Sequence, residues 1–276
     1  MGDVVTPRAT WRVLGSGTSA GVPMIGCDCD VCRSTVAEDR RSRASGLLRL
    51  HDPALTLVVD TGPDFREQAL AAGLCRVDGV LYTHTHSDHV HGLDDLRRFN
   101  ALTGGTIPLY AEARTHAVLG EMFRYIFEPH RNLNRSFIPQ LDRETVEPGR
   151  PLDLPGVRVT PVRVMHGNEP ILGFRFDVDG GGSLAYCTDC SELPAASMAL
   201  LQGLDVLIVD GLRLKPHPTH FNLAQAAGVV AELRPRRAFV THLAHDLSHA
   251  DYAAELARLS PEVPLAPAFD GLEIGF

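Results

Sequence analysis

Three histidines and one aspartate lie within six residues of this chain, at His84, His86, Asp88 and His89. They directly follow the apolar run Val80-Leu81-Tyr82, which predicts a buried strand. Extended spacing places the first two histidines on the same side of the chain, and the backbone then turns with the other two residues. Imidazole nitrogen and carboxylate oxygen suit zinc, manganese or iron. The segment therefore predicts a metal centre at a strand end, with two ligands for each of two ions.

The composition narrows the class of protein. The chain has 276 residues, a hydrophobic fraction of 44% and a formal net charge of −8. A protein that binds extended nucleic acid needs a broad basic face. The basic cluster of this chain, Arg40, Arg41 and Arg43, is local, and we interpret it as a solvated loop. No apolar run of membrane-spanning length is found, and residues 1–8 lack the charged start and apolar stretch of a secretory signal, so we expect neither a membrane span nor a leader. We expect a cytoplasmic protein with a small substrate, no extended nucleic acid and no membrane partner, and the sequence leaves a homo-oligomer open.

Short β-like runs alternate with helical stretches, which predicts an α/β fold. Strands follow one another without helices around residues 157–187, so we expect mixed sheets. We predict one domain over residues 1–276, in which residues 126–156, poorly periodic and rich in Pro, Asn and Arg, form an insertion. The predicted strands are Thr10–Leu14, Gly46–Leu50, Leu55–Val59, Gly79–Tyr82, Val157–Pro161, Leu172–Val178, Ser183–Cys187, Val206–Val209 and Ala238–Val240. The predicted helices are Pro63–Gly73, His91–Asn100, Ala113–Tyr125, Leu223–Leu233 and His249–Leu259.

Residues 84–89 resemble the HxHxDH signature of the metallo-β-lactamase superfamily. His166, Asp189 and His242 agree with the resemblance in order, and each follows a predicted strand. The resemblance spans Gly15 to His245 and implies an αββα sandwich of two mixed sheets with the site at one edge. It also implies two divalent ions, zinc or manganese. One ion is assigned to His84, His86 and His166, the second to Asp88, His89 and His242, and Asp189 bridges both.

Three cysteines predict a second metal site. Cys27, Cys29 and Cys32 form a C-x-C-x2-C pattern, which matches a tetrahedral zinc site that lacks one ligand, and His245 could supply it. Together with the segment Gly15–Pro23, this arrangement resembles the PhnP-type branch of the superfamily, the phosphodiesterases of the carbon–phosphorus lyase pathway. The resemblance implies a structural zinc that ties the N-terminal loop 26–32 to the loop carrying His242.

The resemblance also implies residues that act beside the metals. A histidine at the place of His220 acts in PhnP-like and tRNase Z-like enzymes without being a primary ligand, and its intrinsic pKa near neutrality suits protonation of a leaving oxygen. His217 is a nearby alternative. Asp88 is counted as catalytic as well as metal-binding. Asp60 resembles the carboxylate that orients ligand imidazoles, and Asp210 is a similar candidate; simple loop capping is the alternative for both.

These residues predict a metal-dependent phosphodiesterase for small phosphate esters or nucleotides, cyclic ones included. In two-metal logic, ions roughly 3.5–4 Å apart activate a bridging hydroxide that attacks phosphorus. The alternative is a hydrolase of carboxylic esters, thioesters or lactones on the same metals, and a third possibility is a non-catalytic metal-binding protein. A glyoxalase II-like thioesterase is disfavoured, because that group has Pro-Gly-His after the third metal histidine and this chain reads His166-Gly167-Asn168-Glu169-Pro170. Whether Arg97 or Arg98 reaches substrate stays open.

Overall fold

Two facing sheets form the frame of the structure, a computed structural model that describes residues 7–128, 130, 137–260 and 262–276. Within these residues the first sheet has the order β14-β1-β2-β3-β4-β5-β6, and the second has the order β13-β12-β11-β10-β9-β8-β7. The strands of the first sheet are β1 (Ala9–Gly15), β2 (Ser45–His51), β3 (Ala54–Val59), β4 (Gly79–Leu81), β5 (Ile107–Ala111), β6 (Leu141–Thr145) and β14 (Glu273–Gly275). Those of the second are β7 (Leu152–Leu154), β8 (Val157–His166), β9 (Glu169–Val178), β10 (Ser183–Cys187), β11 (Val206–Asp210), β12 (Arg237–Thr241) and β13 (Leu265–Pro267).

Helices cover the outer face of each sheet. Those of the described residues are α1 (Asp30–Arg33), α2 (Phe65–Ala71), α3 (Ser87–Val90), α4 (Arg97–Thr103), α5 (Ala113–Met122), α6 (Arg124–Phe127), α7 (Ala195–Leu200), α8 (Leu223–Leu233) and α9 (His249–Leu259). Phe65 of α2 and Leu119 of α5 share a buried cluster with the first sheet. Val230 of α8 and Leu256 of α9 share another with the second. The predicted αββα sandwich of two mixed sheets is confirmed.

The core between the sheets is centred on Trp11. Its ring lies 5.6 Å from Phe176 and 5.1 Å from Tyr186, so one aromatic residue of the first sheet packs on two of the second. A Cβ at Gly46 would lie 2.0 Å from the Trp11 ring, so only glycine fits there. Aromatic burial of this kind supplies much of the favourable free energy that holds two layers together.

The nine predicted strands and their helical partners are found, with differences where periodicity is weak. The predicted helix His91–Asn100 is instead a 3-10 turn at Leu93–Leu96 followed by α4. The sequence missed β5, β6, β7, β13 and β14, which are strands of three to five residues. In β6 no residue is fully buried, so no alternation of apolar and polar residues marks it. The segment 126–156, predicted as an insertion, contributes β6 and β7, one strand to each sheet; residues 129 and 131–136 of it lie outside the described residues.

The ends of six parallel strands, three from each sheet, meet at one edge of the sandwich. β3, β4 and β5 are parallel in the first sheet, as are β10, β11 and β12 in the second. Three residues just beyond these strands, Asp60, Asp189 and His242, have positive φ angles of 62°, 54° and 61°. Left-handed backbone at such residues costs free energy on the order of 1 kcal/mol or more each and concentrates at functional sites. The fold thus gathers strained polar residues at this edge.

Candidate metal centre and active site

The loops at this edge bring the predicted ligands into two groups. Within each group, one ligand atom from every residue lies within 4.8 Å of the others. The first group is His84, His86 and His166, and the second is Asp88, His89, Asp189 and His242. The division matches the one that the family resemblance implies, with Asp189 placed among the residues of the second group.

Hydrogen bonds fix the ring orientations in the first group. His166 donates from Nδ1 to the carbonyl oxygen of Thr219 at 2.8 Å, which leaves its Nε2 lone pair free for a cation. Burial, and then the charge of His89, hold the pKa of His84 well below its usual range. His84 is therefore a neutral imidazole, the form that binds metal. His86 is the exposed member of the group, and its Nε2 lies 3.8 Å from Oε2 of Glu169.

In the second group, Asp189 presents its two carboxylate oxygens to different histidines. Oδ1 lies 3.3 Å from Nε2 of His89, and Oδ2 lies 3.4 Å from Nε2 of His242. Oδ2 of Asp88 lies 3.3 Å from the same nitrogen of His89. Although burial opposes it, contacts with His242 and His89 hold the pKa of Asp88 far below its usual range, so this carboxylate stays ionised.

The donor set fits divalent metal ions. The Nε2 atoms of His84, His89 and His242 are buried and make no hydrogen bond to any described residue. An unsatisfied buried polar atom costs about 1–3 kcal/mol, and two of these nitrogens, those of His89 and His242, face the carboxylates of Asp88 and Asp189. Imidazole nitrogens and carboxylate oxygens so arranged are the ligands that zinc and manganese take.

Asp60 orients the second group through a hydrogen bond to His89. Its carboxylate is fully buried, and it accepts hydrogen bonds from Nδ1 of His89 at 2.7 Å and from the backbone N–H and hydroxyl of Thr83 at 2.9 and 2.8 Å. The hydroxyl oxygen of Thr83 is in turn 2.9 Å from Nδ1 of His84. One carboxylate therefore orients a histidine of each group, and Thr83 is a contributor that sequence reasoning missed. Its position between a strand and the first ligand was the available signal.

His220 lies between the two groups. Its Nδ1 donates to Oδ2 of Asp210 at 2.6 Å, and its ring is stacked on His242 with centroids 4.6 Å apart and an interplanar angle of 14°. The ring centroid of His166 is 4.7 Å away. His217, the sequence alternative, lies 5.1 Å beyond His220 and outside both ligand groups. The structure thus places His220, oriented by a buried carboxylate, against the candidate metal ligands.

The cysteine loop forms a separate candidate zinc site. The Sγ atoms of Cys27, Cys29 and Cys32 lie 3.4, 3.4 and 3.6 Å from Nδ1 of His245. Tetrahedral zinc, with Zn–S near 2.3 Å and Zn–N near 2.0–2.1 Å, separates its sulfur and nitrogen ligands by about 3.5 Å. The hydrogen bond from the N–H of Cys32, and then that with His245, lower the pKa of Cys29 to about 6, which favours the thiolate. These four residues therefore have the spacing of a closed structural zinc site.

The interpretation of residues 40–43 as a solvated basic loop is wrong for Arg41. Its side chain is 1% exposed, and its guanidinium donates to the carbonyl oxygens of Ala244 and Leu247. Its Cζ also lies 5.0 Å from the Tyr252 ring centre. Arg41 thus binds the loop that joins His242 to His245. No sequence pattern distinguished it from its exposed neighbour Arg40, because the partners are carbonyls some 200 residues away.

Two arginines near the metal segment were left open by the sequence. Arg97 forms an ion pair with Asp94 at 2.7 Å, one turn away on the same segment, and its side chain is 44% exposed. Arg98 is also exposed.

Comparisons with known proteins agree with this geometry. The model of the beta-lactamase superfamily domain matches residues 56–243. A crystal structure described as a new diphosphatase from the PhnP family is 42% identical, covers 98% of each chain and superposes with a TM-score of 0.85. An octanoyltransferase from Porphyromonas gingivalis is 37% identical over 262 residues, 95% of this chain and 50% of that protein. Coenzyme PQQ synthesis protein B from Rhodopseudomonas palustris is 29% identical over 231 residues, 72% of each chain.

The chain belongs to the metallo-β-lactamase superfamily, because the family match covers more than half of it, from within β3 to just beyond β12. Within that superfamily it is a PhnP-like member, as the cysteine loop and the HxHxDH segment predicted. The family fold implies divalent metal ions at the edge described above. The chain spans half the length of the octanoyltransferase that it matches. Among the described residues, no helix is long and apolar enough to cross a membrane.

Proposed function

We propose that the chain is a metal-dependent hydrolase that cleaves phosphodiester or diphosphate bonds in small molecules. His84, His86 and His166 would hold one divalent ion, Asp88, His89 and His242 a second, and Asp189 both. Two such cations neutralise developing negative charge and make a bound water acidic enough to supply a nucleophile near pH 7. Zinc and manganese both suit these ligands.

The observation that carries the proposal is the contact between His220 and Asp210 beside the ligand groups. A leaving alkoxide or phosphate oxygen needs a proton, and a histidine within reach of the reacting atoms supplies it most readily. Because Asp210 accepts the Nδ1 proton at 2.6 Å, Nε2 is the nitrogen that exchanges a proton with substrate.

Asp88 takes a different part in this chemistry. Since its pKa is held far below the usual range, its carboxylate is a weak base and is better suited to bind a cation and orient water than to remove a proton. His220 and Asp88 therefore have separate roles, because their surroundings differ.

Two further findings support a phosphate substrate. A PhnP-family structure similar over its full length is described as a diphosphatase. The net charge of −8 argues against an extended nucleic acid, and two bound cations would make the centre locally positive and able to attract a small anion. The activity of the octanoyltransferase is not carried over, because this chain corresponds to half of that protein.

The test is a substrate comparison on purified protein loaded with zinc or manganese. We expect turnover of bis(p-nitrophenyl) phosphate and of a diester of diphosphate, and little or none of p-nitrophenyl acetate or an acyl thioester. His84→Ala, which removes a buried candidate ligand, is the matched inactive control. Ester or thioester turnover without phosphodiester or diphosphate turnover would overturn the proposal in favour of the carboxylic ester hydrolase.

A further inference from the structure

We infer that the loop between β11 and α8 forms a subsite for a second phosphate group, with Lys215 and His217 as its binding residues. The subsite would take the non-reacting phosphate of a diphosphate substrate, while the reacting phosphate lies at the metal ligands. This inference rests on the proposed function and names the substrate class that the site is built to select.

Backbone hydrogen bonds fix both ends of the loop, and one of its carbonyls contacts a candidate metal ligand. At its base, the N–H of Leu212 donates to the carbonyl of Phe221 at 2.9 Å, and the N–H of Leu223 donates to the carbonyl of Arg213 at 3.0 Å. Near its far end, the carbonyl of Thr219 accepts the Nδ1 proton of the candidate ligand His166. The backbone of the loop is therefore held beside the candidate ligand His166.

His217 is prepared to donate a hydrogen bond. Its Nδ1 accepts the backbone N–H of Thr219 at 3.4 Å and lies 3.2 Å from the Thr219 hydroxyl. Because a backbone N–H can only donate, the proton of the neutral ring is on Nε2. Burial, and then the charges of His220 and Arg213, lower the pKa of His217, so the neutral donor form prevails near pH 7. Its ring centroid is 5.1 Å from that of His220.

The loop also carries positive charge that no described carboxylate balances. Residues 211–220 include Arg213 and Lys215 and no acidic residue. Neither cation forms an ion pair with a described residue, and the buried Nε of Arg213 has no hydrogen-bond partner there. By contrast, Arg114 beside His84 shares the carboxylate of Glu112 with Arg163. The uncompensated charge is thus carried by the loop that also carries His217 and His220, and not by the α5 side of the site.

Lysine at position 215 is itself informative. It is the single lysine among the 26 Lys and Arg residues of the chain. An ammonium group is a compact charge on a flexible stem, which follows a phosphate as it moves, whereas a guanidinium demands a planar two-bond geometry. An exposed lysine on an otherwise arginine-based surface fits a contact with a mobile terminal phosphate.

The same feature provides a binding experiment that needs no turnover. Reductive methylation with ¹³C-formaldehyde keeps the charge of lysine and labels Lys215 as the chain's one lysine side chain; the Lys215→Arg variant separates its signal from that of the α-amino group. On metal-loaded protein, we expect inorganic pyrophosphate to shift the Lys215 methyl resonance saturably and orthophosphate to shift it little. An unshifted Lys215 resonance at pyrophosphate concentrations that calorimetry shows to be saturating would overturn the inference.

Variants give a second, independent readout. We expect Lys215→Ala and His217→Ala each to weaken pyrophosphate binding about tenfold, the size of one charge-assisted hydrogen bond, and to raise KM for a diphosphate diester similarly. Orthophosphate binding and kcat/KM for bis(p-nitrophenyl) phosphate should change less than about threefold. Arg236→Ala, which removes an equal charge at the opposite end of β12, is the control. His217→Gln keeps a hydrogen-bond donor at position 217 and should recover part of the binding. Such recovery would show that the loss in His217→Ala does not come from misfolding.

The outcomes separate this inference from the proposed function. If wild type turns over phosphodiesters but the variants bind pyrophosphate as wild type does, the subsite is wrong and the function stands. Equal losses for pyrophosphate and orthophosphate would mean general charge attraction, which also rejects the subsite. If wild type hydrolyses no phosphate compound, the function fails, and the resonance and calorimetry still decide whether the loop binds a second phosphate.

Discussion

His220 lies nearly parallel to His242, with ring centroids 4.6 Å apart and 14° between the ring planes. One ring is the candidate proton donor and the other a candidate metal ligand. Asp210, which orients His220, also accepts the backbone N–H of Cys190, the residue after Asp189, at 2.9 Å. One buried carboxylate at the end of β11 therefore joins the loop after β10 to His220, which lies in the loop between β11 and α8. The position of the acid relative to the metal ligands is set by this hydrogen bond to a strand end.

Replacing His220 should remove proton donation and leave the metal ligands in place. We expect His220→Ala to lower kcat about 100- to 10,000-fold for a substrate with an alkoxide leaving group. The loss should be smaller for bis(p-nitrophenyl) phosphate, because p-nitrophenolate departs without a proton. Steady-state kinetics with both substrates, with metal content measured on the same samples, provides the check. Equal losses for both leaving groups would argue that His220 does not act as the acid.

Asp60 should matter for metal affinity although it is not a ligand. Asp60→Asn weakens the hydrogen bonds that orient His89 and Thr83, and removing such an orienting carboxylate typically costs about 10- to 100-fold in metal affinity or activity. Competition with a chelator measures the change. Asp210→Asn is the matched control, because Asp210 orients the acid and should leave metal affinity near wild type. Similar metal affinities in the two variants would contradict this assignment.

The cysteine site predicts a selective loss of zinc. Cys29 contacts His245 and also caps α1 by accepting the N–H of Cys32, so Cys29→Ser removes a soft ligand and weakens the turn that presents Cys32. We expect one zinc per chain to be lost and the melting temperature to fall, with the active-site ions retained. Cys75→Ser, at an exposed thiol outside the candidate sites, should change neither. Unchanged zinc content in Cys29→Ser would refute the site.

Arg41 should contribute strongly to stability. Arg41→Met keeps much of the side-chain volume but removes the guanidinium donor from the buried carbonyl of Ala244, which keeps only a long bond from Tyr252, and from the half-buried carbonyl of Leu247; an unsatisfied buried acceptor costs about 1–3 kcal/mol. We expect a loss of roughly 3 kcal/mol in the free energy of unfolding, measured by urea denaturation at constant metal. Arg40→Met, at an exposed neighbour, should stay within about 0.5 kcal/mol of wild type. A small effect at position 41 would show that water replaces the guanidinium.

Gly62 allows the backbone after Asp60 to pass close to the metal segment. A Cβ at this position would lie 2.0 Å from the carbonyl oxygen of Asp88, so Gly62→Ala must push the ligand loop outward. We expect a destabilisation of about 1–3 kcal/mol, typical of overpacking, together with weaker metal binding. Gly105→Ala, where the added Cβ meets nothing within 4 Å, is the control. Thermal unfolding and metal titration of both variants test the prediction.

Much of the fold and the site could be predicted from local sequence. Apolar runs such as Val206–Val209 predicted the buried strands because the interior admits little else. The long amphipathic helices α8 and α9 were predicted with the bounds that the structure shows. The short strands at the sheet edges, β6, β7, β13 and β14, were missed because three to five residues carry little pattern and their pairing depends on a partner strand. The internal strand β5 was missed although most of its residues are buried. Beyond such patterns, His166, Asp189 and His242 were assigned to the metal centre only through their order in the family resemblance.

The sequence by itself determined the chemistry that is available: clustered imidazoles and carboxylates in one segment, soft sulfurs in another, and the strands that carry them. The tertiary structure decided what these groups face. It buried Arg41 against distant carbonyls, placed Asp60 behind His89, and put His220 rather than His217 against the metal ligands. Local sequence patterns predict the strand or helix in which a residue lies. Contacts between residues far apart in the chain arise only when the two sheets pack, because that packing brings their strand ends to one edge.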